Sequence, residues 1–120
     1  STLSTGTWYH IGMTFASGVV TFYLNGQPDG GFSSTNAVNP TNNYELELGR
    51  AFNGNYFNGA MDEVALFNSA LTASEMLSIY NNKSYPQILS IWRFEDDVTD
   101  SVGSNDGTNN VATFTTTKPY

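Results

Sequence analysis

The dipeptide Asn25-Gly26, set at the end of an alternating apolar run, constrains this chain more than any other feature. Both residues accept positive φ, so the pair closes a tight hairpin whose twist suits antiparallel strands. Val19 to Asn25 alternates ahead of it, which predicts Val20, Phe22 and Leu24 pointing inward. Ala16-Ser17-Gly18 turns the chain before that run, and Trp8 to Phe15 alternates as well. On this first strand Tyr9, Ile11, Met13 and Phe15 share one face, while Trp8, His10, Gly12 and Thr14 share the other.

Further along, Gln27 to Asn43 is rich in Gly, Ser, Asn and Pro and lacks periodicity, so it reads as a long surface loop. Tyr44, Leu46 and Leu48 alternate with Glu45 and Glu47, the pattern of a half-buried strand. An aromatic and Asn/Gly loop from Ala51 to Gly59 leads to a strand from Ala60 to Phe67. One helix interrupts the β pattern. Thr72 and Glu75 form a capping box, with Thr72 as N-cap and Glu75 three residues on. Leu71 and Met76 stand where a hydrophobic staple forms, Ala73, Met76, Leu77 and Tyr80 share a face, and Asn81-Asn82 ends the helix. After Pro86 the β pattern resumes: an apolar strand from Ile88 to Phe94, expected to be covered on both faces, an acidic loop from Glu95 to Gly107, and a Thr-rich strand from Val111 to Thr117. Short strands with frequent turn signals predict an all-β fold, an antiparallel β-sandwich with one short helix.

Composition narrows the function. The chain has 120 residues, one domain's worth, with Lys+Arg 4 against Asp+Glu 11 and a net charge of −7. Phosphate contacts need Lys and Arg, so a nucleic-acid partner and docking on anionic lipid are both excluded as expectations. With no cysteine there is no disulfide, no thiolate nucleophile and no Cys-ligated zinc. No apolar run approaches a membrane span, so no membrane insertion is expected. No signal-peptide pattern opens these residues, so an export address, if there is one, is expected outside them.

The residues resemble a known family. Thr7-Trp8-Tyr9-His10-Ile11, Phe22-Tyr23-Leu24-Asn25-Gly26 and Leu48-Gly49-Arg50 are similar to the back half of a laminin-G-like domain. Phe57-Asn58-Gly59-Ala60-Met61-Asp62-Glu63-Val64, then Asn68-Ser69-Ala70-Leu71-Thr72 and Glu75, resemble that family's closing strand and helix. The resemblance implies a concanavalin-A-like jelly roll of two antiparallel sheets and a non-catalytic role outside the cell or on its surface. In the tail, Ile91-Trp92-Arg93-Phe94-Glu95, Asp100-Ser101-Val102-Gly103, Asn105-Asp106-Gly107 and Thr113-Phe114 resemble the opening of the same family. Residues 1–85 therefore read as the C-terminal half of such a sandwich and 86–120 as N-terminal strands. Three explanations of that order stay open: a circular permutation, a chain that straddles two tandem repeats, and a subunit completed by strands from a neighbouring copy.

Candidate chemistry follows from particular side chains. Glu45 and Glu47 lie about 6.6 Å apart along a strand, a separation compatible with a glycosidase pair. The E-x-D-x-E pattern of some enzymes of this fold is incomplete, because Gly49 stands where a third acid belongs. A solvated strand face is the expectation, and the protein is expected not to be an enzyme. His10, the lone histidine, shares a face with Trp8 and is expected to be structural. Glu95, Asp96, Asp97, Asp100 and Asp106 are the metal candidates by composition. The resemblance implies calcium at the sandwich rim, with Asp62 and Asp100 in the matching motifs. Phe52, Asn53, Asn55 and Tyr56, with Phe57 and Asn58, combine flat rings and amides suited to stacking on and hydrogen-bonding a sugar. Asn82-Lys83-Ser84 is an N-glycosylation sequon at Asn82. Two functions remain in view: adhesion or binding to a glycan or protein surface, and a structural role as a tandem repeat or fibre subunit sharing strands with copies of itself.

Overall fold

The computed structural model describes residues 1–33, 44–51 and 54–115. Its elements are β1 (Ile11–Ala16), β2 (Val19–Leu24), β3 (Gln27–Ser33), β4 (Val64–Phe67), α1 (Ala73–Asn82) and β5 (Ile88–Trp92). They form a three-stranded sheet in the order β1-β2-β3 and a two-stranded sheet of β4 and β5. The chain is mostly β with two antiparallel sheets and one short helix, the expected all-β class. By packing it divides into one unit of Ser1–Ala37 with Leu66–Leu89 and another of Val38–Ala65 with Ser90–Tyr120.

The first unit is built on the hairpin. Ile11 pairs with Leu24, Met13 with Phe22 and Phe15 with Val20. Asn25 and Gly26 take φ of 50° and 76°, as the turn requires. Asn25 also replaces strand hydrogen bonds: its N–H donates to the His10 carbonyl at 2.8 Å, and its Oδ1 accepts from the His10 N–H at 3.1 Å. The strand expected from Trp8 consequently starts at Ile11.

Gln27 to Ser33 corrects the expected loop, since this segment forms β3. Its strand state comes from the turn and from β2, not from its own pattern. The register steps from Thr21↔Gly31 to Tyr23↔Pro28, which leaves one extra residue on β3, a bulge. Gly31 is obligatory there, because a Cβ would lie 2.1 Å from the Val20 carbonyl oxygen. The remainder of that expected loop, 34–43, lies outside the described residues.

The helix forms as its local signals dictate. The Thr72 side chain accepts from the Glu75 N–H at 3.2 Å, and the Glu75 carboxylate accepts from the Thr72 N–H at 2.8 Å. Leu71 and Met76, the staple pair, are both buried and belong to one cluster with Tyr23 and Ile79. Phe67 and Tyr85 pack against it. The buried face of α1 is therefore Met76 and Ile79, while Tyr80, placed on the inner face by the sequence pattern, is 41% exposed. The helix closes on Lys83, in the left-handed region at φ 52°.

α1 covers the sheet face that carries Gly12 and Tyr23, and this corrects the expected inward set on β2. Val20 is buried, but Phe22 is exposed, and Tyr23 of the opposite face is buried instead. Other boundaries shorten for local reasons. β4 begins only at Val64, after Glu63 at φ 51°, and β5 ends at Trp92, before Phe94 at φ 53°. In β5 residues of both parities, Ser90, Ile91 and Trp92, are buried, whereas Leu89 is exposed.

Two expected strands are absent among the described residues. Tyr44 to Leu48 is exposed coil that bends at Leu48 and forms no described strand. Residues 111–115 are irregular because Asn109 takes the backbone groups of Ala112: its Oδ1 accepts from the Ala112 N–H at 2.8 Å, and its Nδ2 donates to the carbonyl at 3.0 Å. Such a clasp competes with ladder bonds.

These contacts rank two substitutions. Thr72→Ala is expected to cost about 1 kcal/mol through loss of the cap. Gly31→Ala is expected to cost more, up to about 3 kcal/mol, because the added methyl meets backbone that cannot move aside. Urea denaturation of both variants checks the order, and the reverse ranking would refute the close approach of β3 to β2.

Candidate functional site

The exposed aromatics are held by a tight excursion of the backbone. The Phe57 N–H donates to the Gly49 carbonyl at 2.8 Å, Ala51 to Asn55 at 2.8 Å, and Gly54 to Ala51 at 2.9 Å. Arg50 and Tyr56 form an isolated antiparallel bridge. Gly49 and Gly54 take φ of 79° and 82°, which lets the chain reverse in so short a span. The Phe57 ring lies over Gly59, where a Cβ would come within 2.7 Å of it. These bonds tie 49–51 to 54–57 and so present Tyr56 and Phe57 from a hydrogen-bonded backbone.

On it Tyr56 is 70% and Phe57 56% exposed. Arg50 Nη1 donates to Glu47 Oε1 at 2.8 Å, a surface pair that orients the guanidinium more than it stabilises the fold. Arg50, Asn55, Tyr56, Phe57 and Met61 line an open depression of about 370 Å³. A flat exposed ring beside a guanidinium and an amide can stack on an apolar face of a ligand while donating to hydroxyls or carboxylates. Of the residues expected to bind, the structure brings Asn55 and Tyr56 to this depression; Phe52 and Asn53 lie outside the described residues. Arg50 and Met61 were missed by composition, since neither stands in the aromatic/Asn stretch.

The acidic tail does different work. Asp100 is buried, and its Oδ1 accepts from the N–H groups of Ile91 at 3.1 Å, Val102 at 3.1 Å and Gly103 at 2.9 Å. Its Oδ2 accepts from the Asn105 N–H at 3.2 Å. Burial pushes this carboxyl up, but the N–H of Gly103, the Ser90 hydroxyl and the N–H groups of Val102 and Ile91 outweigh it. Together they hold it well below the usual carboxylate range. Asn105 Nδ2 donates to Ser90 Oγ at 2.7 Å, and the Trp92 indole N–H donates to the Asn105 carbonyl at 2.9 Å. Asp106 Oδ1 accepts from the Asp100 N–H at 2.9 Å, and Asp97 Oδ1 from the Thr99 N–H at 3.1 Å. These carboxylates satisfy backbone donors. Ser90 stands in no sequence motif, and Asn105 only within Asn105-Asp106-Gly107 with no task assigned to it; the two meet only once the loop has closed.

Asp62 differs. Its Oδ1 accepts from the adjacent Glu63 N–H at 3.0 Å, while Oδ2 is buried with no hydrogen-bond partner among the described residues. Next to it Glu63 holds Arg93 Nη1 with both oxygens, at 3.0 and 3.1 Å. Calcium takes six to eight oxygens. Asp62 offers one unpaired oxygen and Asp100 none to spare, so the pair does not fit the ion. Among the described residues no three His, Cys, Asp or Glu side chains come together as a metal group.

The other candidates are placed as follows. Glu45 and Glu47 lie on exposed coil, and Glu47 is engaged by Arg50. His10 packs tilted against Tyr80, ring centroids 5.8 Å apart, with its Nδ1 buried and unpartnered among the described residues. Burial lowers its pKa, and the positive charge of Lys83 lowers it further. Asn82 is exposed in the last turn of α1. No described helix is long and apolar enough to cross a membrane.

A laminin-G family model, described as Concanavalin A-like lectin/glucanases superfamily, matches residues 1–76. The match ends before Ile91–Phe114, where the sequence suggested the family's opening motifs. Among curated proteins none matches. The structure is similar to the crystal structure of an S-layer domain-containing protein (residues 221–444) from Clostridium thermocellum, with 23% identity and a TM-score of 0.58. The likeness covers 68% of this chain and 42% of that one, so the chain spans less than half of that structure's length. At this identity the likeness concerns the fold.

Two expectations follow from the site geometry. Asp100→Asn places amide hydrogens among N–H donors, so hydrogen exchange at Ile91, Val102, Gly103 and Asn105 is expected to accelerate by at least about tenfold, the equivalent of roughly one lost net hydrogen bond. Unchanged protection would refute the carboxylate as the organiser of this loop. For His10 the folded-state pKa lies below the ordinary imidazole value of 6.5, so the unfolded chain binds the proton more readily. Its contribution is fully present above about pH 6.5 and is lost as pH falls through the folded value. The difference in stability between the wild type and His10→Gln, measured from pH 7.5 downward, is expected to shrink on acidification; a constant difference would refute the assignment.

Proposed function

The chain belongs to the Concanavalin A-like lectin/glucanases superfamily, and from that premise we propose that it is a non-catalytic binding module. It acts outside the cell or at its surface, and it takes a glycan or a glycan-bearing protein surface on the Gly49–Met61 loop. The observation that carries this reading is Tyr56, 70% exposed on a hydrogen-bonded scaffold beside Arg50 and Asn55. Tyr56 and the adjoining Phe57 leave ring surface open to a ligand, and the open depression suits a sugar ring better than an enclosed cofactor. Non-catalytic action is supported by Glu45 and Glu47, which lie on exposed coil outside any strand. The net charge of −7 further favours neutral or cationic partners over anionic ones.

A second reading, a structural repeat or fibre subunit that shares strands with copies of itself, is favoured by the open outer edges of β1 and β3. Neither edge has a strand partner among the described residues, and unpaired edges are templates for strand addition.

A glycan array probed with the 1–120 chain, in calcium and in EDTA, tests the binding reading. Tyr56→Ala is expected to weaken any binding found by about tenfold, as truncation of a central aromatic does. Calcium is expected to be dispensable. An array with no binder sinks the glycan proposal, and equal binding by Tyr56→Ala moves the site away from this loop.

A further inference from the structure

The second sheet face of the hairpin unit has no role so far. Register places Ile11, Met13 and Phe15 of β1, Val20, Phe22 and Leu24 of β2, and Phe32 of β3 on one side. α1 covers the other side. The Phe22 and Phe32 rings touch, with centroids 6.1 Å apart, so the side chains form a continuous apolar surface. Yet Ile11 is 65%, Met13 64%, Phe32 54% and Phe22 38% exposed, with Leu3 beside them at 47%. Leu3, Ile11, Phe22 and Leu24 border a depression of about 290 Å³ there, with the Ser1–Asp29 ion pair at its rim.

We propose that this face is covered by the same face of a second copy, giving a closed two-fold dimer in which two sheets pack as one sandwich. The area supports this occupant. At roughly 200 Å² per large apolar side chain, the exposed fractions amount to about 500 Å². One side of a standard interface takes about 800 Å² in all, of which a homodimer makes about 65% apolar, again about 500 Å². Charge supports it as well. A chain of net charge −7 resists meeting itself, but the strand side chains of this face are uncharged, and the two charges at its depression, the Ser1 ammonium and the Asp29 carboxylate, offset each other as an ion pair at 3.2 Å. An isologous contact needs a self-complementary patch, and a flat apolar sheet meets that need at the ordinary sheet-to-sheet spacing of about 10 Å. This inference goes beyond the binding reading and differs from strand sharing, because it uses the face of the sheet and closes after two copies.

Light scattering with size exclusion on the 1–120 chain, combined with peroxide oxidation of its methionines, tests the proposal. The expected mass is twice 13.1 kDa. In that species Met13 is expected to oxidise at least about fivefold more slowly than Met61, although it is more exposed in the single chain, 64% against 38%. Ile11→Glu combined with Phe32→Glu is expected to give the single-chain mass with an unchanged circular-dichroism spectrum and fast Met13 oxidation. A monomeric wild type overturns the proposal, as does a dimer whose Met13 oxidises ahead of Met61. An open-ended series of masses overturns it in favour of edge sharing. Should the double variant fail to fold, the wild-type oxidation order still decides. The glycan array is independent of each outcome.

Discussion

Met76 lies over Gly12, and much of the hairpin unit depends on that contact. A Cβ at Gly12 would come within 2.7 Å of the Met76 sulfur, so the thioether seats directly on the strand where position 12 has no side chain. The approach brings Met76 and Ile79 onto Tyr23 and Leu71. Burying side chains of this size contributes about 1.5–3 kcal/mol each, enough to hold a ten-residue helix too short to be stable alone. It also settles an ambiguity that alternation leaves open. An alternating strand offers two faces, and the one the helix takes is the polar-looking one, with Gly12, Thr14, Thr21 and Tyr23. The more apolar face is consequently left to something else.

The other unit is organised by polar groups. Asp100 gathers the backbone donors of its loop, and Asn105 links that carboxylate to Ser90 and Trp92. Buried carboxylates persist when several donors stabilise the charged form, and here the donors outweigh burial. The same geometry gives Asp100 a structural task within the acidic loop: both of its oxygens are taken by donors of the chain itself.

How much of this could be read from residues alone depends on how local each signal is. The capping box at Thr72 and Glu75, the Leu71–Met76 staple and the Asn25-Gly26 turn depend on neighbours a few positions away, and all were legible. β3 was not, because Gln27-Pro28-Asp29-Gly30-Gly31 has no alternation and becomes a strand only through the turn before it and the β2 backbone beside it. The opposite failure occurs at Tyr44 to Leu48, where the alternation is present and no strand forms among the described residues to use it. At the candidate site the exposed ring of Tyr56 was legible from its Asn/Gly surroundings. The contributions of Arg50 and Met61, and the Ser90–Asn105 contact, arise only from tertiary closure.

The open loop site and the apolar face answer each other's weakness. A shallow depression contacts little of a ligand, so a single copy binds weakly whatever its chemistry. Pairing through a face made of residues other than those of the loop adds a second loop without altering the first. The second contact then becomes intramolecular, and linked weak sites gain by effective concentration where geometry lets both engage. Pairing also removes the solvation penalty of Ile11, Met13 and Phe32, which no part of the glycan reading explains. The two proposals therefore do not compete for the same residues: the binding reading uses a polar-rimmed aromatic on a loop, and the pairing reading a sheet face of uncharged strand side chains.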